Sequence, residues 1–381
     1  MPLYHSVIRP ILFRLDAERA HKLTIAFCDV LGRLPFFSRL AGWLKAARHP
    51  ALRTLLGGMV LDSPIALGAG FDKDGRALAV LSTLGFGAIE VGAVSSQPCA
   101  GNTGCRAVRL VAEEAVLTRY GVPNDGACRV ALRFARHARL VRNVPVGVNV
   151  IWNSSSKPDS SIQEVVAEIA AALAGFDGLA DYVTVNFACP NIRGESHFDD
   201  IQNVRLLFEA LDARRPVIPV FLKFRHRADV RWMDDLVALS LEFPWVRGFI
   251  PIVHVMRLMN PDATDGAPPL KGSISGAPLK DATLDVIRLW YQRIDRSRHV
   301  LIATGGISSA ADVFEAMAAG ATAVQVFTAM VYQGPYAVRR MNAELAVLMN
   351  AAGIRSTKEL TGSACAVPPL PVSTRTKKAT A

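Results

Sequence analysis

The sequence predicts one (β/α)8 barrel carrying an N-terminal helical extension, and two observations carry that prediction. The first is repetition. From residue 64 onward, eight short apolar runs alternate with helical stretches: 65–70, 88–94, 144–150, 182–188, 217–224, 248–254, 299–305 and 323–329. The second is the character of the runs. They are apolar at nearly every position, which suits parallel strands covered on both faces rather than a sheet with one wet face. Eight β/α units in a row close into a barrel. The competing fold is the doubly wound open sheet, which wants a Gly-rich turn after its first strand and an acidic ribose ligand further on. The first run ends instead in Gly-Ala-Gly-Phe-Asp-Lys.

Between the runs, segments 126–141, 162–175, 199–212, 232–243, 280–294 and 308–319 read as helices. Residues 95–125 form a long insertion, in which 106–111 and 115–119 alternate as a small hairpin does. Residues 5–48 read as helical. Val7, Ile8, Ile11, Leu12 and Leu15 fall at three- and four-residue spacings, on one face. A second stretch is rich in large apolar side chains: Leu34, Phe36, Phe37, Leu40, Trp43 and Leu44. Two readings stand side by side, a helical pair packed on the barrel and an element that docks on a membrane. The division is then 1–50 helical extension, 51–352 barrel and 353–381 C-terminal segment. Pro368, Pro369 and Pro371 predict disorder from about residue 366.

Composition narrows the function. Of 381 residues, 51% are hydrophobic and 20% charged, which supports a large core. The net charge of +10 sits at the ends: +5 in residues 1–50, +3 in the tail from 365, and only +2 in the body. That placement speaks against nucleic acid, which wants a basic stripe on the body. No apolar run spans a bilayer. Arg9, Asp16, Glu18 and Arg19 interrupt any signal-peptide core. The expected place is the cytoplasm, peripherally on the cytoplasmic face of the inner membrane if the extension docks. The six cysteines have no zinc spacing, and no metal site is expected.

Barrel enzymes carry their chemistry at the C-terminal ends of the strands. There the sequence puts Ala69, Gly70 and Lys73, then Asn149, then Asn186 with Cys189 and Asn191, then Lys223, Gly305, Gly306, Phe327 and Thr328. Amides and lysines at buried strand ends are costly unless they bind something. Gly305-Gly306 alone is a tight turn. After strand seven of an eight-unit barrel it marks a phosphate site, to which Gly276 adds a further backbone amide. Cys189, in a Cys-Pro loop beside two asparagines, is the candidate general base.

These residues together resemble the dihydroorotate dehydrogenases, in particular the quinone-linked, membrane-associated class. The likeness runs through 15–21 (Leu-Asp-Ala-Glu-Arg-Ala-His), 69–75 (Ala-Gly-Phe-Asp-Lys-Asp-Gly), 85–92, 275–279, 305–307 and 324–328. It implies an FMN-dependent oxidoreductase. The phosphate would lie on Gly276, Gly305, Gly306, Phe327 and Thr328. The ring would lie against Ala69, Gly70, Lys73, Asn149, Asn186 and Lys223. Catalysis would fall to Cys189 and Lys73, and quinone would enter along the N-terminal helices near His21 and Arg106.

The chain also departs from the pattern. Cysteine at 189 is typical of the soluble class, where the quinone-linked class has serine. Of four pocket asparagines, Asn186 and Asn191 match, whereas Pro123 and Val253 stand in place of the others. Ile192, Arg193, Ile252 and Ala93 also differ from the family. The expected substrate is therefore a small acid or amide other than dihydroorotate, contacted by Asn186, Asn191, Asn124, Arg193 and His254. The alternatives are a true quinone-linked dihydroorotate dehydrogenase with a variant pocket, and a catalytically silent flavin-binding barrel.

Overall fold

The computed structural model describes residues 3–34, 37, 49–137, 144–153, 160–188, 197–214, 216–259 and 270–365. Eight parallel strands close the barrel: β1 (Ile65–Leu67), β2 (Ala88–Val94), β3 (Val146–Val150), β4 (Tyr182–Asn186), β5 (Val220–Arg225), β6 (Val246–Ile252), β7 (Val300–Thr304) and β8 (Ala323–Val326). Each pairs with its neighbour in sequence, and β8 returns to β1 through Val324↔Ile65 and Gln325↔Ala66. Helices Ala127–His137, Ile162–Ala174, Ile201–Asp212, Val230–Leu241, Lys280–Tyr291 and Ala310–Ala318 cover the outside. Their predicted positions hold to within a few residues. The last run is shorter than expected. The strand stops at Val326, and Thr328 already opens the helix Thr328–Gln333, drawn aside by the Thr328 Oγ1 bond to Ser275 Oγ at 3.0 Å.

Paired residues on neighbouring strands face the same side, so the register sorts the barrel interior into layers. The lowest layer is apolar: Ala66, Ala88, Tyr182, Phe221, Ile250, Ile302 and Ala323 cluster there. Leu56 and Leu61 join them from the antiparallel hairpin Thr54–Leu56/Met59–Leu61, which plugs the bottom. Tyr182 takes up the room that Gly147 on β3 leaves open. A Cβ on Gly147 would stand 2.2 Å from the Tyr182 ring. One pleat higher the same positions read Gly68, Glu90, Asn149, Thr184, Lys223, Ile252, Thr304 and Gln325, and the interior becomes polar.

Two additions frame the mouth. The expected hairpin forms as Ala107–Leu110 against Ala115–Thr118. It is half of a four-stranded sheet completed by Met256–Met259 and Leu270–Gly276. The N-terminal extension runs Tyr4–Ile8, Arg9–Phe13 and then the long helix Ala17–Arg33, capped by Asp16 accepting from the Arg19 amide. Arg109 on the hairpin donates to the Leu12 carbonyl at 3.2 Å and to the Leu15 carbonyl, and lies 4.6 Å over the Phe13 ring. Asp29 takes Arg33 and Arg76 together, which ties the long helix to the loop after β1. The expected second apolar stretch, apart from Leu34 and Phe37, lies outside the described residues. So does the tail from 366. Residues up to 365 pack on the barrel, with Leu360 fully buried and Thr357 Oγ1 donating to the Arg53 carbonyl at 2.7 Å.

Gly147→Ala is expected to lower stability by about 1–3 kcal/mol, since the added methyl overpacks against Tyr182. Denaturant unfolding measures it, and an unchanged midpoint contradicts the layer description.

Candidate functional site

Glu90 on β2 lies at the centre of the polar layer and has no exposed surface. Asn149 Nδ2 donates to its Oε1 at 2.8 Å, and Thr184 Oγ1 and Gln325 Nε2 donate to its Oε2, each at 2.8 Å. The bonds continue outward: Asn186 Nδ2 donates to Asn149 Oδ1 at 2.9 Å, and Thr304 Oγ1 donates to Gln325 Oε1 at 3.0 Å. Five strands are joined through one carboxylate. Lys223 on β5 faces the same layer. Burial lowers its pKa, and the charge of Glu90 works against that shift. Glu90, Thr184, Thr304 and Gln325 were not assigned as site residues from sequence. Glu and Gln inside otherwise apolar strands were the available signal, but only the register shows that they meet.

A cleft opens above this layer, enclosing about 570 Å³ of non-atom space with its open mouth included. Its lining contains Ala69, Lys223, Gly276, Gly305, Gly306, Phe327 and Thr328 from the predicted set, with Ser275, Ser308 and Gln325. One end is backbone-rich. Gly276, Gly305 and Gly306 take φ values of 108°, 108° and 76°, which favour glycine. Hydroxyls of Ser275, Thr328 and Ser308 stand around them. The other end offers the Lys223 cation and the Gln325 amide. A cleft with a glycine and hydroxyl end and a cationic, amide-lined end fits a phosphate monoester attached to a polar ring.

Gly70, Lys73, Asn149 and Asn186 fall outside that lining. The two asparagines reach it through Glu90 and Gln325. Lys73 Nζ donates to the Gly70 carbonyl at 2.9 Å and lies 4.2 Å over the Tyr120 ring. Burial pushes its pKa down to about 8. On its outer side stand His21, pushed down to about 3 by burial and then by Lys73, and Arg106, ion-paired with Glu18. An aromatic path runs inward from the extension: His21 meets Phe71 at 5.3 Å, and Phe71 meets the cleft residue Phe327 at 5.7 Å.

Asn124 is placed differently from the expectation. Its Oδ1 accepts from the Ser95 and Gly126 amides, and its Nδ2 donates to Ser95 Oγ and Val122 O. Its amide is fully used in holding the loop, so nothing is left for a ligand. Val253 packs into an apolar cluster with Ala115, Ile274 and Leu279. His254 sits at the mouth beyond β6. Cys189, Asn191, Ile192 and Arg193 lie outside the described residues. The chain leading to them is fixed: Phe187 N donates to Lys223 O at 2.7 Å, and Ala188 N donates to Asn186 Oδ1 at 2.8 Å.

A closed parallel barrel with a phosphate-type cleft above a polar interior defines a cofactor-dependent barrel enzyme. The comparisons give the family. The model of the family described as dihydroorotate dehydrogenase matches residues 51–349. Dihydroorotate dehydrogenase (quinone) of Thermobifida fusca is 36% identical over 375 residues, covering 94% of this chain and 96% of its own. The protein of the same name from Acidithiobacillus ferrooxidans is 34% identical over 351 residues, covering 90% and 94%. A crystal structure of DHODH from Eimeria tenella in complex with ferulenol superposes with a TM-score of 0.76 at 25% identity, covering 92% and 96%. The chain belongs to the dihydroorotate dehydrogenase family. It is an oxidoreductase of a family whose members bind FMN.

Glu90→Gln replaces an all-acceptor group with one that must turn an N–H toward a donor, and it strips Lys223 of its countercharge. The expected cost is about 3 kcal/mol in denaturant unfolding. In a Lys223→Met background the cost should shrink by about 1 kcal/mol or more. Additive losses would show that the two groups are uncoupled.

Proposed function

We propose that this chain is a quinone-linked dihydroorotate dehydrogenase, oxidising dihydroorotate to orotate with FMN. The observation that carries this is the Glu90 layer beneath a glycine and hydroxyl cleft, in a chain whose relatives bear that name over nearly their whole length. The comparisons favour this reading over a different small acid or amide as substrate. That second reading keeps one support: Asn124 is fully engaged and Val253 is apolar, so the pocket holds fewer free amides than the family pattern.

FMN bound in the cleft would supply a two-electron acceptor, with quinone as its oxidant. Gly276, Gly305, Gly306 and Thr328 would hold its phosphate end, and Lys223 with Gln325 would face its ring. Asn186, fixed by Asn149, orients the substrate at the mouth. Lys73 offers a cation to the substrate's acidic group. Cys189, directly after the anchored Ala188, takes the proton. A thiol, of reference pKa about 8.5, ionises far more readily near neutrality than an alcohol does.

The extension is read as the quinone side. Tyr332 lines the cleft on one side and meets Phe13 at 5.6 Å on the other. Ile11, Leu23, Phe27 and Val30 of the extension are exposed, at 52% to 65%. No described helix is long and apolar enough to cross a membrane, so contact would be peripheral.

The purified protein should be yellow, and anaerobic dihydroorotate should bleach it. Full flavin content without bleaching would return the choice to another acid. Cys189→Ala should keep the flavin and lose reduction by about 10²-fold or more; unchanged reduction would remove Cys189 as the base. In a vesicle-pelleting assay with anionic lipid, Ile11→Asp/Phe27→Asp should leave the protein in the supernatant. Pelleting equal to wild type would refute membrane docking.

A further inference from the structure

Lys73, on the loop after β1, is a part-buried cation without a counterion. Its Nζ donates to the Gly70 carbonyl at 2.9 Å and stands 4.2 Å from the centre of the Tyr120 ring. Three acids lie nearby, and each is engaged elsewhere. The Asp72 carboxylate accepts from the Arg76 and Ala77 amides at 2.9 and 2.7 Å, and the Asp74 carboxylate accepts from the Asp125 amide at 2.8 Å. Glu18, on the long helix, is ion-paired with Arg106 and Lys22. None of the three is ion-paired with Lys73 among the described residues. The other titratable neighbours add no negative charge, since burial keeps His21 neutral and Arg106 is a second cation.

Tyr120 follows the hairpin strand Ala115–Thr118 by two residues, and its backbone is held firmly. The Asn102 amide donates to the Tyr120 carbonyl at 2.8 Å, and Asn102 Nδ2 donates to the Arg119 carbonyl at 2.8 Å. The chain then turns at once, with Gly121 and Val122 at φ values of 71° and 61°. For a β-branched residue such as Val122 that conformation is costly, and it persists only where the surroundings enforce it. The turn fixes where the Tyr120 ring projects. The Arg106 guanidinium also lies 5.8 Å from the centre of the ring, so one ring serves two cations.

An unpaired ammonium drawn away from water needs compensation, and the negative face of an aromatic ring supplies it. A carboxylate in the same place would also neutralise the charge and occupy its donors, of which Gly70 takes one of three. We propose that Tyr120 is a positioning residue for Lys73: its ring keeps the ammonium protonated and turned to the Gly70 carbonyl, and leaves the charge free for an acidic group of the substrate. The last step rests on the reading that Lys73 meets the acid of the substrate. Burial lowers the Lys73 pKa to about 8, Asp74 opposes that shift and Arg106 adds to it. Loss of the ring removes a further support of the charged form, so the pKa falls toward neutrality.

The test labels the FMN-loaded enzyme with acetic anhydride across a pH series and reads the Lys73 peptide by mass spectrometry, which gives the pKa of that one amine. Tyr120→Leu, which fills the space without a ring, should lower it by about half a unit or more. Tyr120→Met should do the same, and Tyr120→Phe should keep the wild-type value. Orotate is then titrated against the flavin absorbance, and the pH above which it is released should fall in Tyr120→Leu together with the Lys73 pKa. If that pKa falls but the wild-type enzyme binds no orotate, the hold of the ring on Lys73 stands and the dihydroorotate reading falls. An unchanged Lys73 pKa in Tyr120→Leu and Tyr120→Met overturns the proposal. So does an equal fall in Tyr120→Phe, or an orotate profile that stays in place while the pKa falls.

Discussion

Glu90 is a carboxylate with no exposed surface, and such a group is tolerated only when hydrogen bonds and a countercharge replace the water it has lost. Asn149, Thr184 and Gln325 supply the bonds, and Lys223 supplies the charge. The functional surface is built outward from this constraint. Asn186 is held by Asn149 and Ala188 by Asn186, and Cys189 is the next residue in the sequence. Gln325 is held between Glu90 and Thr304, and it forms part of the cleft floor. A change at Glu90 would therefore reach Gln325 in the cleft lining and Asn186 at the end of β4 together.

The N-terminal extension joins the same site from outside. Arg109 clamps the short helix to the four-stranded sheet, Asp29 clamps the long helix to the loop after β1, and Tyr4 Oη donates to the Val331 carbonyl at 2.6 Å. These contacts place His21 against Phe71, and Phe71 against Phe327. Under the proposed function, the substrate comes to the open mouth and the electron acceptor to the side lined by the extension.

Much of the architecture was legible in the sequence because its cause is local. A strand buried on both faces is apolar throughout, and eight such runs with helices between them leave few alternatives to a barrel. The glycine-rich end of the cleft was legible for the same reason, since Gly276, Gly305 and Gly306 mark backbone that other residues rarely adopt. What escaped depends on distant pairing. The small sheet joins Ala115–Thr118 to Leu270–Gly276, more than 150 residues apart in the chain, as the Thr118 to Ser273 bond shows. Glu90 and Gln325 stood visibly among apolar residues, yet their meeting is set by barrel register. Asn124 looked free in the sequence and is consumed by Ser95 and its own loop. Cys189 was read as the candidate base from its Cys-Pro setting at a strand end, and it lies outside the described residues.

The central claim is that one buried carboxylate organises the cofactor site without lining the cleft itself. The most direct measurement is the affinity of apoprotein for FMN, by flavin fluorescence quenching, in wild type and Glu90→Gln. The account predicts about a tenfold or greater loss in Glu90→Gln, in protein that remains folded at the assay temperature. Equal affinity in the two proteins would contradict it, and would leave Glu90 as a structural element of the barrel interior alone.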